Sequence, residues 1–247
     1  LYNHREATNI FMLDVDLQGL FDCINGASVL EGGRGLDDTT DGGLVLFLSV
    51  DGPDSAAVNN YGVRVTNGAE LAATPMGAPN IAGLTVVTDQ ALYIQGDYNT
   101  VNKKPAAFLA DSLNVLSNNW NDANSTLALA SRPATSTSIH AAMLAGTDTT
   151  GGAEGDAGQD SGNYGGGLEN FARLHENWTG DGLFIQGSMV SLSEPAHVDG
   201  AWVYGGTQYL PPTRILTFDE DLRDPLLQPP LTPQFVFLRQ ELFVRQF

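Results

Sequence analysis

The sequence predicts a mainly β protein, a right-handed parallel β-solenoid carrying a short helix and long loops, with a β-sandwich as the alternative. Three observations carry this. From Ile81 onward, short apolar runs follow one another, each closed by glycine or a polar turn within roughly ten residues. Two-residue Asn-Gly or Asp-Gly turns, which antiparallel hairpins need, are scarce there, so the runs read as strand, corner, strand, the pattern of stacked coils. Finally, LYIQG at 92–96 returns as LFIQG at 183–187, as though one strand and its corner were written twice. On this reading Gly96 and Gly187 mark the same corner. Leu92, Ile94, Phe108, Leu113, Val115, Ile139, Met143, Phe184 (or Leu183 with Ile185) and Met189 fill a stacked interior.

Along the chain, residues 1–80 form an N-terminal flank of mixed α/β character. IFMLDVDL reads as a strand, and Leu13, Leu17, Leu20, Phe21 and Ile24 at helical spacing continue it into a short helix. LVLFLSVDG is a continuous apolar run suited to a strand covered on both faces, and YGVRVTNG alternates as a strand should. The β body spans 81–210, with strands expected in GLTVVTD, ALYIQGDYN, KPAAFLAD, SLNVLSNNW, STSIHAAMLAGT and DGLFIQGSMVSL. A polar, glycine-rich insertion at 147–167 lacks the apolar residues to bury itself. Next to it, Leu168, Phe171, Leu174 and Trp178 are spaced like one face of a helix. Residues 211–247 form a proline-rich tail ending in an aromatic strand candidate that either closes the fold or meets a partner.

With 29 acidic against 11 basic residues, a net charge of −18 leaves little to neutralise a phosphate backbone, which excludes nucleic acid as a partner. The same charge opposes binding to an anionic membrane surface. No run approaches the ~20 apolar residues of a spanning helix. Cys23 is the one cysteine, so no internal disulfide forms, and its apolar flank suggests a buried thiol. The chain opens without Met, which suggests a processed product or a fragment with its export signal upstream.

Several stretches together, LYNHREATNIFMLDVDLQGL, VDGPDSAAVNNYGVRVTNG, GLTVVTDQALYIQGDYNT, KKPAAFLADSLNVLSNNWND and GGLENFARLHENWTGDGLFIQGSMVSL, resemble the C-terminal region of large bacterial envelope proteins of the PilX type, related to type IV pilus assembly. The resemblance runs from Tyr2 to about Leu192, and GGLENF…ENW is its most specific piece. It implies an exported, cell-surface or pilus-associated structural protein whose membrane helix would precede residue 1. It brings no catalytic motif.

The chemistry in the residues themselves is sparse. His4, His140, His175 and His197 lack zinc-site spacing, and His175 reads as a helix-surface residue. Calcium is the cation the sequence accommodates. Asp37, Asp38 and Asp41 in LDDTTDGG, and Glu154, Asp156 and Asp160 in GAEGDAGQDSGN, put hard oxygen ligands into glycine-rich loops, though neither is an EF-hand and solvated loops explain both. Asp14 with Asp16, and the acids of FDEDLRD at 218–224, are the carboxylates a polysaccharide lyase or glycoside hydrolase would use. Trp202, Tyr204 and Tyr209 would suit a glycan or protein contact. The expectation is therefore an extracellular structural or adhesive component of a bacterial surface appendage, acting as a homo-oligomer or with other pilus or surface subunits. Phe235, Phe237, Leu242, Phe243 and Phe247, with Trp202 and Tyr204, are the interface candidates. A carbohydrate-active β-helix enzyme or glycan-binding module is the alternative.

Overall fold

The computed structural model describes residues 1–5, 7–27, 29–50, 61–146, 172–191 and 207–232. A small antiparallel ribbon of β1 (Tyr2–Asn3) and β2 (Thr8–Asn9) precedes β3 (Phe11–Asp16) and the helix α1 (Leu17–Gly26). The strands that follow are β4 (Leu44–Phe47), β5 (Tyr61–Thr66), β6 (Leu84–Val87), β7 (Ala91–Gln95), β8 (Ala106–Ala110), β9 (Ser112–Leu116), β10 (Thr137–Ala145), β11 (Arg173–Leu174), β12 (Gly182–Ser191) and β13 (Thr213–Phe218).

From β3 to β12 the chain alternates between two parallel sheets. One is ordered β11-β9-β7-β5-β3 and the other β13-β12-β10-β8-β6-β4. Strands next to each other in a sheet are therefore one circuit apart in sequence. Leu92 pairs with Leu113 in this way, and Leu84 with Ala106. Other paired residues lie further apart in sequence, as Asn114 and Arg173 do. The strands before residue 80 (β3, β4 and β5) and the one after 210 (β13) belong to the same two sheets as those between.

In-register pairing stacks like side chains, which is why the period-2 pattern within each short run is enough to build a core. Leu92, Ile94, Leu113 and Val115 of one sheet and Leu84, Val86, Phe108, Ile139 and Met143 of the other belong to one buried cluster, joined by Leu17, Phe21 and Ile24 of α1. The outer face of the five-stranded sheet is also covered: Tyr93, Ala91 and Leu116 pack with Ile10 and Trp120. The aspartate that ends β3, Asp16, caps α1 by accepting from the Gly19 amide, so the strand passes directly into the helix.

Several expectations need correction. The two echoed segments are not matching corners, because β7 belongs to the five-stranded sheet and β12 to the six-stranded one. Gly96 does turn a corner, at φ +81, but Gly187 lies inside β12, where an added Cβ would run into the Ala141 carbonyl of β10. Of the two choices for β12, Leu183 with Ile185 is the one that holds, and Phe184 points out and is 38% exposed. The described part of the predicted helix at 168–178 is instead extended: β11 carries Leu174 into the core, and Asn177 forms parallel bridges to Pro133 and Leu210. Spacing of three and four suits either a helix or a strand with a bend, and burial of Leu174 and Trp178 within the sheet stack decided it. Cys23 is exposed, because the core face of α1 is Leu17, Phe21 and Ile24. Lastly β4 is an edge strand, with Phe47 68% exposed.

Candidate assembly surface

The two ends of the stack differ. At the first end, α1 lays its apolar face on the core, and the edge strand β3 carries Asp14 and Asp16. Charges on an edge strand oppose pairing with another chain. At the other end, β13 has all six residues exposed and no acidic side chain in TRILTF. Ile215, Leu216 and Phe218 are 46%, 56% and 48% exposed. Leu216 is paired to the buried Ile185, so it extends an interior column that, among the described residues, goes no further than β13.

The backbone at this edge follows from the ladder. Thr213 N donates to Asp181 O at 2.9 Å and Asp219 N to Gly187 O at 3.1 Å. In a parallel ladder alternate residues bond to the same neighbour, so the amides and carbonyls of Arg214, Leu216 and Phe218 face away from β12. Among the described residues no strand pairs with that side.

Beyond β13 the chain turns back over the outer face of the six-stranded sheet. Lys103 Nζ clamps the turn, reaching Asp219 at 2.8 Å and Asp221 at 2.7 Å, while Gln186 Nε2 donates to Asp219 at 3.3 Å. Burial acts to raise the Asp219 carboxyl, but the Lys103 hydrogen bond and the Asp221 amide carry it below the usual carboxylate range. The strap then reaches the first circuits: Thr85 Oγ1 donates to Pro230 O at 2.7 Å, and Leu231 N to Asp41 O at 2.9 Å. Between strap and sheet lies an apolar groove of about 350 Å³, floored by Ala107, Leu109, Ala142, Leu144 and Val190 and walled by Pro230.

The five-stranded sheet carries its polar groups on the outer face, in one register column: Asp14, Arg64, Tyr93, Asn114 and Arg173. Arg64 donates through Nε to Asp14 and through both terminal nitrogens to Asp122, at 2.7 and 3.0 Å. Burial works against its charge, but those carboxylates hold the guanidinium more firmly protonated than usual. His175 is buried rather than on a helix surface. Its Nε2 meets Asn114 Oδ1 at 2.9 Å, and burial with nearby arginines drives its pKa well down, which keeps the ring neutral. The adjacent Glu176 is buried too. It accepts from the Ser117 amide and hydroxyl, both at 2.7 Å, yet loss of water outweighs these donors and raises its pKa to about 7.

The residues singled out from sequence thus have local partners. Asp14 pairs with Arg64, Asp16 caps α1, and Asp219 and Asp224 cap the turns at Glu220–Arg223 and Pro225–Leu227. Asp38 accepts from the Thr40 amide at 2.9 Å and pairs with Arg34 at 3.4 Å, and Asp41 adopts φ +56 in the next turn. Among the described residues, Asp37, Asp38 and Asp41 included, no group of three or more His, Cys, Asp and Glu is placed to hold a metal ion. Tyr209 packs against the core, with the Arg5 guanidinium 5.6 Å from its ring centre. His197, Glu154, Asp156, Asp160, Trp202, Tyr204, Phe235, Phe237, Leu242, Phe243 and Phe247 lie outside the described residues. Sequence reasoning missed β13 by treating 211–224 as tail. The signal was there: two prolines followed by TRILTF, an alternating β-branched run. Among the described residues no helix is long and apolar enough to cross a membrane. Compared with protein-family models, curated proteins and solved structures, the chain matches none.

Proposed function

We propose that the two parallel sheets are faces of a right-handed β-solenoid, and that the chain is an extracellular structural or adhesive component of a bacterial surface appendage, working by self-association. Strict alternation between the sheets, with circuits as short as the one from Leu92 to Leu113, supports the solenoid reading. The right-handed sense is that of nearly all parallel crossover connections.

One observation carries the functional part: the stack stops at β13 with an interior column still exposed and a row of backbone donors and acceptors facing outward. Such an edge is a template for another chain, and proteins that keep it from pairing put charges, proline or a cap on it. Here β3 carries two such charges, whereas β13 carries one, Arg214, and among the described residues no strand covers its outer side. Negative-stain microscopy of the purified protein, at micromolar concentration and above, is the test. Particles built from more than one chain are expected, and uniformly single-chain particles would remove the self-association reading.

A further inference from the structure

We infer that the occupant of the β13 edge is a second copy of the same strand, paired antiparallel about a two-fold axis, so that association closes at two chains. The inference rests on the self-association reading and names its partner and geometry.

The end-to-end asymmetry argues against head-to-tail stacking. An open series would need the six residues of β13 in one copy to pair with β4 of the next, which offers only four, beside the α1 helix lying on the core. A two-fold contact uses the longer β13 edge twice. It is self-complementary by construction and leaves no further open site of that kind.

The register follows from which groups face outward. Arg214, Leu216 and Phe218 present their amides and carbonyls at the edge, so an antiparallel partner bonds through these same residues. Centring the axis on Leu216 places it opposite Leu216 of the second copy and Arg214 opposite Phe218. By register Arg214 and Leu216 follow the inward Leu183 and Ile185, so the two interiors become continuous. The pairing also agrees with charge. Arg214 of each copy arrives beside the turn that begins Asp219, Glu220, Asp221 in the other, a carboxylate cluster only partly offset by Lys103 and Arg223. The Phe218 ring already takes one guanidinium at 5.4 Å, from Arg223, and offers its other face to Arg214.

The test is sedimentation velocity over a concentration series on the full chain, on Leu216→Pro and on Arg214→Glu. Proline at 216 removes an amide that faces the edge and takes no part in the ladder to β12, so the fold keeps its own hydrogen bonds. If that variant fails to fold by circular dichroism, Arg214→Glu, at an exposed position, decides alone. The expected result is a dimer whose Kd rises on the order of tenfold or more in each variant, with the urea midpoint, measured well below the parent Kd, unchanged. Adding Glu220→Arg to Arg214→Glu should recover part of the loss. A dimer indifferent to both variants would overturn the assignment. A ladder of ever larger species would overturn the two-fold closure while leaving self-association standing. A monomer at every concentration would overturn both.

Discussion

Replacing Glu176 by glutamine should remove one contribution that makes this protein less stable as pH rises. The carboxyl group is buried, and its pKa is raised from an ordinary 4.5 to about 7 by loss of water, in spite of the Ser117 donors and the Arg132 charge. A raised carboxyl means that between these two values the folded chain holds a proton that the unfolded chain has released. Stability from this group is therefore complete below pH 4.5, falls as pH rises to about 7, and is flat above. A span of about 2.5 pH units at ~1.4 kcal/mol each makes the full loss about 3.5 kcal/mol, most of it between pH 4.5 and 7.5. Glutamine keeps the shape, its oxygen accepting the Ser117 amide and its amide donating to the Ser117 hydroxyl, but it has no charge to bury. Other carboxylates titrate in the same range, so the quantity to measure is the difference in urea-unfolding free energy between Glu176→Gln and the parent at each pH. That difference should move by about 3 kcal/mol in favour of the variant between pH 4.5 and 7.5. A difference that stays flat across this range would show that Glu176 is not held in a raised state.

Other perturbations test the packing. Gly187→Ala forces a methyl group onto the Ala141 carbonyl and should cost about 3 kcal/mol by urea denaturation, more than Gly96→Ala, where the nearest atom is the end of the Asn118 side chain and the cost is the positive φ, about 1 to 2 kcal/mol. Equal costs would contradict the placement of Gly187 inside β12. Lys103→Met removes the clamp on Asp219 and Asp221 and should speed trypsin cleavage after the exposed Arg223 on the order of tenfold; an unchanged rate would mean the strap is held elsewhere. Cys23 should react fully with a thiol reagent in the native state, and a reaction that waits for denaturant would place it in the core instead.

Much of the architecture was legible because the strands are written in short, regular runs. Leu92, Ile94, Leu113 and Val115 point inward as their alternation requires, and the IFMLDVDL run passes into α1 where helical spacing begins. The difficulty lay where one local pattern fits two structures. Leu168, Phe171, Leu174 and Trp178 satisfy a helix, yet Arg173 and Leu174 complete a sheet, and only pairing with the distant Asn114 and Val115 reveals it. LFIQG looked like a copy of LYIQG because both are apolar strands with a glycine, but glycine is required at Gly96 by φ and at Gly187 by the approach of a neighbouring strand. The exposed edge at β13 was harder still. Whether an edge is free depends on which strand comes last in the stack, and no local window contains that information.

The strap after β13 has a consequence for how the molecule comes apart. A stack in which each layer touches only its neighbours melts progressively from its ends, because losing the outermost layer breaks one interface. Here Thr85 holds Pro230 and Asp41 holds Leu231, so the last described stretch of the chain is fastened to the first circuits. The outermost strand cannot peel away without also releasing a bond near the opposite end. Such a circuit trades gradual fraying for all-or-none unfolding, and the long sequence separation between Thr85 and Pro230 makes the closing of the circuit a late and slow event in folding.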